Sequence, residues 1–166
     1  MITIGLFGTC GGSKWRDPFI ERYTKLGIEF FNPQVDDWRP ELAQIEANHL
    51  VNDDIILFPV TNETYGMGSL AETGFSINQV LKSTKNRSVV LMIDPRVNEA
   101  LEIANPVLAK ESARSRALVR AHLEQANHHN VYFVDNLEEM LNTSLRLSYV
   151  HKILNEIKNE CKKKDS

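Results

Sequence analysis

The sequence predicts an α/β fold: a flavodoxin-like, doubly wound sheet with helices on both faces. Three observations predict it. Five short apolar runs are separated by longer amphipathic stretches. Several of those runs are apolar at consecutive positions instead of alternating, as strands covered on both faces are. Strand and helix patterns also alternate along the chain, which favours parallel pairing through right-handed crossovers. The expected sheet is five-stranded and mainly parallel. The 166 residues read as one domain, 1–166, with a C-terminal helical extension from about residue 137. At that length about 70% of the unfolded chain's surface can be buried.

The first apolar run is Ile2 to Phe7, followed by the glycine-rich turn Gly8-Thr9-Cys10-Gly11-Gly12-Ser13. A short helical pattern over Asp17 to Leu26 leads to the second run, Ile28 to Phe31, closed by Asn32-Pro33. The spacing predicts a helix over Glu41 to Val51, with Leu42, Ile45 and His49 or Leu50 on one side. Ile55 to Val60 is the third run. The helix after it, Leu70 to Lys82, is expected to turn Leu70, Phe75, Ile77, Val80 and Leu81 to the core. Ser88 to Ile93 is the fourth run and ends at Asp94-Pro95. A long helix over Val107 to Ala126 offers Leu108, Leu118, Val119 and Leu123 for burial. Val131 to Val134 is the fifth run. The last pattern, Leu137 to about Lys162, is helical with an expected break near Asn142-Thr143.

Composition narrows the function. Hydrophobic residues make up 42% and charged residues 25%, average for a globular protein, and the net charge is −3. No global basic field exists to hold nucleic acid. The dense basic run Lys162-Lys163-Lys164 reads as a solvated tail. No apolar run is long enough to cross a membrane. The two cysteines, Cys10 and Cys161, lie far apart without metal-type spacing. With no signal-peptide pattern at the N-terminus, a cytoplasmic, reducing setting is expected.

In open parallel sheets, ligands bind beyond the carboxyl ends of the strands. Those ends are the Gly8–Gly12 turn, Asn32-Pro33, Val60 to Glu63, and Asp94-Pro95. The glycines Gly8, Gly11 and Gly12 let backbone N–H groups approach an anion, or simply make a tight turn. Trp15 and Arg16 next to that turn suit a flat ring and a phosphate or sugar oxygen, or Trp15 covers the sheet edge. Cys10 reads as pocket lining close to a helix N-terminus, where a thiol pKa can fall. Asp53 and Asp54 precede the third strand and point to opposite faces, with Asp54 taken as the inward one. Glu72 is the sharpest candidate. Ser69-Leu70-Ala71-Glu72 matches a capping box, in which the glutamate only satisfies backbone N–H groups. Gly66, Gly68 and Gly74 around it are not needed by a cap and suit a ligand lying close to the backbone. Arg114, Arg116 and Arg120 read as a solvated helix face, and the histidines form no constellation.

Over residues 2 to 94 the chain resembles the nucleoside 2-deoxyribosyltransferase family, in its deoxyribosyltransferase-like branch. The resemblance rests on Phe7-Gly8-Thr9 with Trp15-Arg16, on Phe31-Asn32-Pro33 with Trp38, and on Gln44-Ile45-Glu46. It continues in Asp53-Asp54-Ile55-Ile56-Leu57 and in Gly66-Met67-Gly68 leading to Glu72-Thr73-Gly74. It implies that Glu72 is a nucleophile and that Asp54 supports the catalytic network. Substrate would be held by Gly8, Thr9, Cys10, Gly12, Trp15, Arg16, Asn32, Glu63, Gly66, Gly68 and Ser69. The implied activity is glycosyl transfer or hydrolysis at the N-glycosidic bond of (2′-deoxy)nucleosides or their 5′-monophosphates. The implied assembly is a homo-oligomer in which a neighbouring subunit completes the pocket, with no metal or redox cofactor. Transferases of the family often carry an aspartate shortly before the nucleophile, and here the nearest polar residues are Asn62 and Glu63. That departure keeps open a catalytically silent nucleotide-binding or sensing module on the same fold. A receiver-like signalling domain is a weaker third reading, because Gly8-Thr9-Cys10 supplies no acidic residue after the first strand.

Overall fold

The structure is a computed structural model that describes residues 2–37, 39–83, 86–125 and 128–164, with side chains to residue 161. Trp38, Ala126 and the side chains of Lys162, Lys163 and Lys164, named above, lie outside the described residues. Five strands form one parallel sheet: β1 (Thr3–Leu6), β2 (Glu29–Phe31), β3 (Ile55–Val60), β4 (Ser88–Ile93) and β5 (Val131–Phe133). Their order is β2-β1-β3-β4-β5, the flavodoxin-like order, and every pairing is parallel. The chain winds one way from β1 to β2 and the other way from β3 onward. The crevice where the winding reverses therefore lies between the carboxyl ends of β1 and β3.

The helices are α1 (Asp17–Leu26), α2 (Pro40–Asn52), α3 (Met67–Leu81), α4 (Glu99–Ala104), α5 (Pro106–Glu124) and α6 (Leu137–Lys164). β3 and β4 are buried along their whole length, as central strands covered on both faces must be. Alternation then divides the core. Ile55 and Leu57 face α1 and α6, where they meet Trp15, Phe19, Tyr23, Met140 and Leu147. Ile56, Phe58 and Val60 face the other layer with Val80 of α3 and Leu123 of α5. Ile4 and Leu6 of β1 belong to the first cluster and Phe7 to the second.

Four expectations about helices are corrected. α3 begins at Met67, three residues before the expected Leu70, and its inner face is formed by Thr73, Ser76 and Val80. Phe75 and Leu81 are exposed. The two hydroxyls can be buried because each donates back along the helix, Thr73 to the Ser69 carbonyl at 2.9 Å and Ser76 to the Glu72 carbonyl at 3.1 Å. In α5, Leu108 and Leu118 are exposed, while Ala109, Ser112, Arg116 and Leu123 are buried. In α2 no residue is fully buried, and Ile45 is exposed. α6 runs unbroken through Asn142-Thr143. There Ser144 is buried, donates to the Leu141 carbonyl at 2.7 Å and bonds the Tyr23 hydroxyl, so the helix meets the core through a polar contact. α4, held at its start by the Asn98 side chain on the Leu101 N–H, was not anticipated.

At the amino ends of β3 and β4, Arg87 is almost fully buried. Its guanidinium donates to the carbonyls of Asp53 at 2.7 Å, Leu50 at 2.7 Å and Gln79 at 3.2 Å. It joins the ends of α2 and α3 to the edge of the sheet. Arg87→Met leaves those carbonyls buried without donors. It is expected to cost at least about 3 kcal/mol of unfolding free energy, read as a lower urea midpoint at unchanged slope.

Candidate active site

The loop after β1 turns on Gly8 (φ +85°), Gly11 (φ +72°) and Gly12 (φ +86°). At Gly8 an added Cβ would lie 2.3 Å from the Pro59 carbonyl oxygen, so both conformation and space require glycine. The loop is tied to β3 by Thr9, whose hydroxyl donates to the Pro59 carbonyl at 3.2 Å and accepts from the Thr61 N–H at 2.9 Å. Arg16, 1% exposed, lies beneath it. It donates to the carbonyls of Leu6 at 2.9 Å, Phe7 at 3.2 Å and Thr9 at 2.6 Å, to Gln34 Oε1 at 3.1 Å and to Cys10 Sγ at 3.2 Å. Trp15 is buried, donates Nε1–H to the Thr9 carbonyl at 2.9 Å and stacks edge-on against Phe19.

These contacts correct the ligand roles expected for Thr9, Trp15 and Arg16. All three are consumed in fixing the loop. Glu63 is likewise committed. It accepts from the Ser13 hydroxyl, the Lys14 N–H at 3.0 Å and the Thr61 hydroxyl at 3.0 Å. Burial pushes its carboxyl up, but these hydrogen bonds and one from the Trp15 N–H outweigh burial and hold it below the ordinary range. Asn32 accepts from the Gln34 N–H at 3.0 Å and shapes the turn after β2.

A cavity of about 410 Å³ opens at the carboxyl edge above this loop. The β1 loop lines it with Gly8, Cys10 and Gly11, and the β2 loop with Pro33, Gln34 and Val35. α2 adds Glu46, and the start of α3 adds Gly68, Ser69 and Glu72. Of the residues expected to hold or attack substrate, Gly8, Cys10, Gly68, Ser69 and Glu72 are brought together. Gly12 and Gly66 do not line the cavity. Gly66 begins α3 in the left-handed region (φ +71°), and an added Cβ there would meet Arg116 Nη2 at 2.5 Å. Gly74 is exposed on α3 away from the lining.

Asp54 is not in this site. It stands at the amino end of β3, where its carboxylate accepts the Thr3 N–H at 3.0 Å. Asp53, not Asp54, is the buried member of the pair, with Oδ1 2.9 Å from His49 Nδ1 and Oδ2 without a partner among the described residues. The carboxylate that joins Glu72 is Glu46. Periodicity on α2 does not set it apart from Glu41, and the Gln44-Ile45-Glu46 motif quoted for the resemblance carried no role for it, so its place in the cavity comes from the tertiary fold.

The capping-box reading of Glu72 fails on geometry. With α3 starting at Met67, Gly66 is the cap, no side chain caps the helix, and Ser69 is already helical. Among the described residues no hydrogen bond reaches the Glu72 carboxylate. The residue is exposed overall, but partial desolvation at the cavity wall pushes its carboxyl up, and repulsion from Glu46 adds to the shift. Burial also raises Glu46, with the Arg16 charge opposing it. Cys10 lines the cavity as expected; desolvation raises its thiol, with the Arg16 charge opposing. Among the described lining residues there are two carboxylates, a thiol, a hydroxyl and an amide, with no lysine or arginine. The described residues contain no group of three or more His, Cys, Asp or Glu placed to hold a metal, and no helix long and apolar enough to cross a membrane. No protein-family model and no curated protein matches the chain.

Two outcomes check this description. Gly8→Ala forces a methyl onto the Pro59 carbonyl at a positive φ and is expected to lower stability by about 2 kcal/mol or more in urea melts. Glu63 is ionised more readily in the folded chain than in the unfolded one. Its contribution is therefore complete above the unfolded value of about 4.3 and is lost as pH falls through the lower folded value. Glu63→Gln removes that contribution, so its melting temperature is expected to lie below wild type at neutral pH and to converge on it in acid.

Proposed function

We propose that the chain transfers or hydrolyses the N-glycosidic bond of (2′-deoxy)nucleosides through Glu72. The observation that carries this reading is the Glu72 carboxylate itself. It has no hydrogen-bond partner among the described residues and lies on the wall of a cavity at the sheet's carboxyl edge, with Glu46 as a second carboxylate in the same lining. A retaining glycosyl transfer uses two carboxyl groups in one cavity, one as nucleophile and one to give and take the proton.

In its ionised form, Glu72 attacks C1′ while the bond from C1′ to the base nitrogen breaks, and the bonding pair leaves with the base. Glu46 in its protonated form gives its proton to that nitrogen. A glycosyl ester of Glu72 forms through an oxocarbenium-like transition state whose charge the carboxylate stabilises. A second base or water, deprotonated by Glu46, then takes the sugar and frees Glu72. Gly11 and Gly68 leave backbone open to a flat ligand, and an added Cβ at Gly68 meets no other atom within 4 Å. The acidic lining favours an uncharged nucleoside over its 5′-monophosphate. The same reading includes a second copy of the chain beside the cavity, and the exposed apolar side chains of Met67 and Phe75 on α3 suit such a contact.

Incubation with 2′-deoxynucleosides, their 5′-monophosphates and free bases, followed by chromatography, is expected to show base release or exchange. Glu72→Ala is expected to lower the rate by about 10³-fold or more. Glu46→Gln is expected to lower it by about 10²–10⁴-fold. Glutamine cannot supply the proton that Glu46 gives to the leaving base, so the alkaline limb of the kcat/KM profile is expected to disappear from the residual activity. An undiminished rate in Glu72→Ala refutes the reading. Nucleoside binding without any turnover favours a silent binding module on the same fold.

A further inference from the structure

Arg116 was expected on a solvated helix face, yet it has no exposed surface. From α5 its guanidinium reaches the carboxyl ends of two strands. Nη1 donates to the Asp94 carbonyl at 2.8 Å and the Val60 carbonyl at 3.3 Å, and Nη2 donates to the Thr61 carbonyl at 3.1 Å. Nη2 also occupies the space into which a Cβ on Gly66 would project, 2.5 Å from it. Nε has no partner among the described residues, so the group is held by its two terminal nitrogens alone.

We propose that Arg116 is a positioning residue for Glu72: it grips both ends of the connection from β3 to α3 and so fixes where the helix that carries the carboxylate begins. The inference rests on the reading of Glu72 as the reacting group. The connection leaves the sheet at Val60-Thr61, bonded to Arg116, and enters α3 at Gly66, packed against the same guanidinium. The first helical hydrogen bond, Leu70 N–H to the Gly66 carbonyl at 3.0 Å, starts at the gripped residue. Glu72 follows on the same rigid helix, about 9 Å along its axis from Gly66. Any displacement at Gly66 is therefore carried to the carboxylate. The planar guanidinium can serve three carbonyls spread across two strands, a geometry that a lysine ammonium cannot match.

The test uses the full chain with Arg116→Lys and Gly66→Ala, the second of which keeps the arginine but forces its guanidinium and the start of α3 apart. Two readouts are taken on each folded variant: kcat and KM for base release, and titration of the Glu72 carboxyl carbon by NMR. Both variants are expected to lose kcat by about tenfold to a hundredfold, as small misplacements of reacting groups do, with KM changed less than kcat. Both are expected to move the Glu72 titration away from its wild-type midpoint. The double variant is expected to fall short of the product of the single losses, because the two changes disturb one contact. Single variants with wild-type kcat and an unmoved Glu72 titration overturn the proposal, as do losses that multiply. A wild-type chain without base release refutes the glycosyl reading instead. The Glu72 titration alone then decides whether Arg116 sets that carboxyl.

Discussion

Peptide carbonyls at the ends of a parallel sheet need donors, and three buried arginines supply them here. Arg16 serves Leu6, Phe7 and Thr9 at the end of β1. Arg116 serves Val60, Thr61 and Asp94 at the ends of β3 and β4. Arg87 serves Leu50, Asp53 and Gln79 at the opposite edge. None of the three makes an ion pair in this chain among the described residues. Each instead neutralises a set of backbone dipoles that would otherwise be buried unmet, which is what makes burial of the charge tolerable. Helices pack over these ends, and loops hold one shape there, because the carbonyls are satisfied from within.

That arrangement decides what the cavity can present. Once Arg16 is committed to the β1 loop and Glu63 to Ser13, Lys14 and Thr61, the polar groups most prominent in the sequence are unavailable to a ligand. The groups left over, Glu46 and Glu72, come from α2 and α3. These helices follow strands lying on either side of β1 in the sheet order. The winding reversal beside β1 brings them to one place.

Much of the fold was legible because apolar runs in buried parallel strands leave little ambiguity. β3 and β4 match their runs residue for residue, and α1 matches its pattern. Legibility failed where polar groups go inside. Thr73, Ser76, Ser144 and Arg116 are buried through hydrogen bonds that no hydrophobic pattern encodes, so Phe75, Leu108 and Leu118 were assigned to the core in their place. In the site, Glu72 was legible from its glycine-rich surroundings, although one of those glycines, Gly66, answers to Arg116 and not to a ligand. Glu46 was not legible as a site residue from periodicity, because its role depends on where α2 lands. Asp54 falls outside the site because it precedes β3 and so stands at the sheet's amino edge, opposite the cavity, a position the topology already counted against direct chemistry.

The choice of arginine for the supporting groups has a consequence for how the protein meets a change in acidity. A guanidinium keeps its charge throughout the range in which carboxyls, thiols and imidazoles titrate. The anchors beneath the loops therefore hold their hydrogen bonds while the carboxyls of Glu46 and Glu72 titrate above them. The cavity can pass through its protonation states without the walls changing shape, so acidity acts on the charge of its lining separately from the architecture that surrounds it.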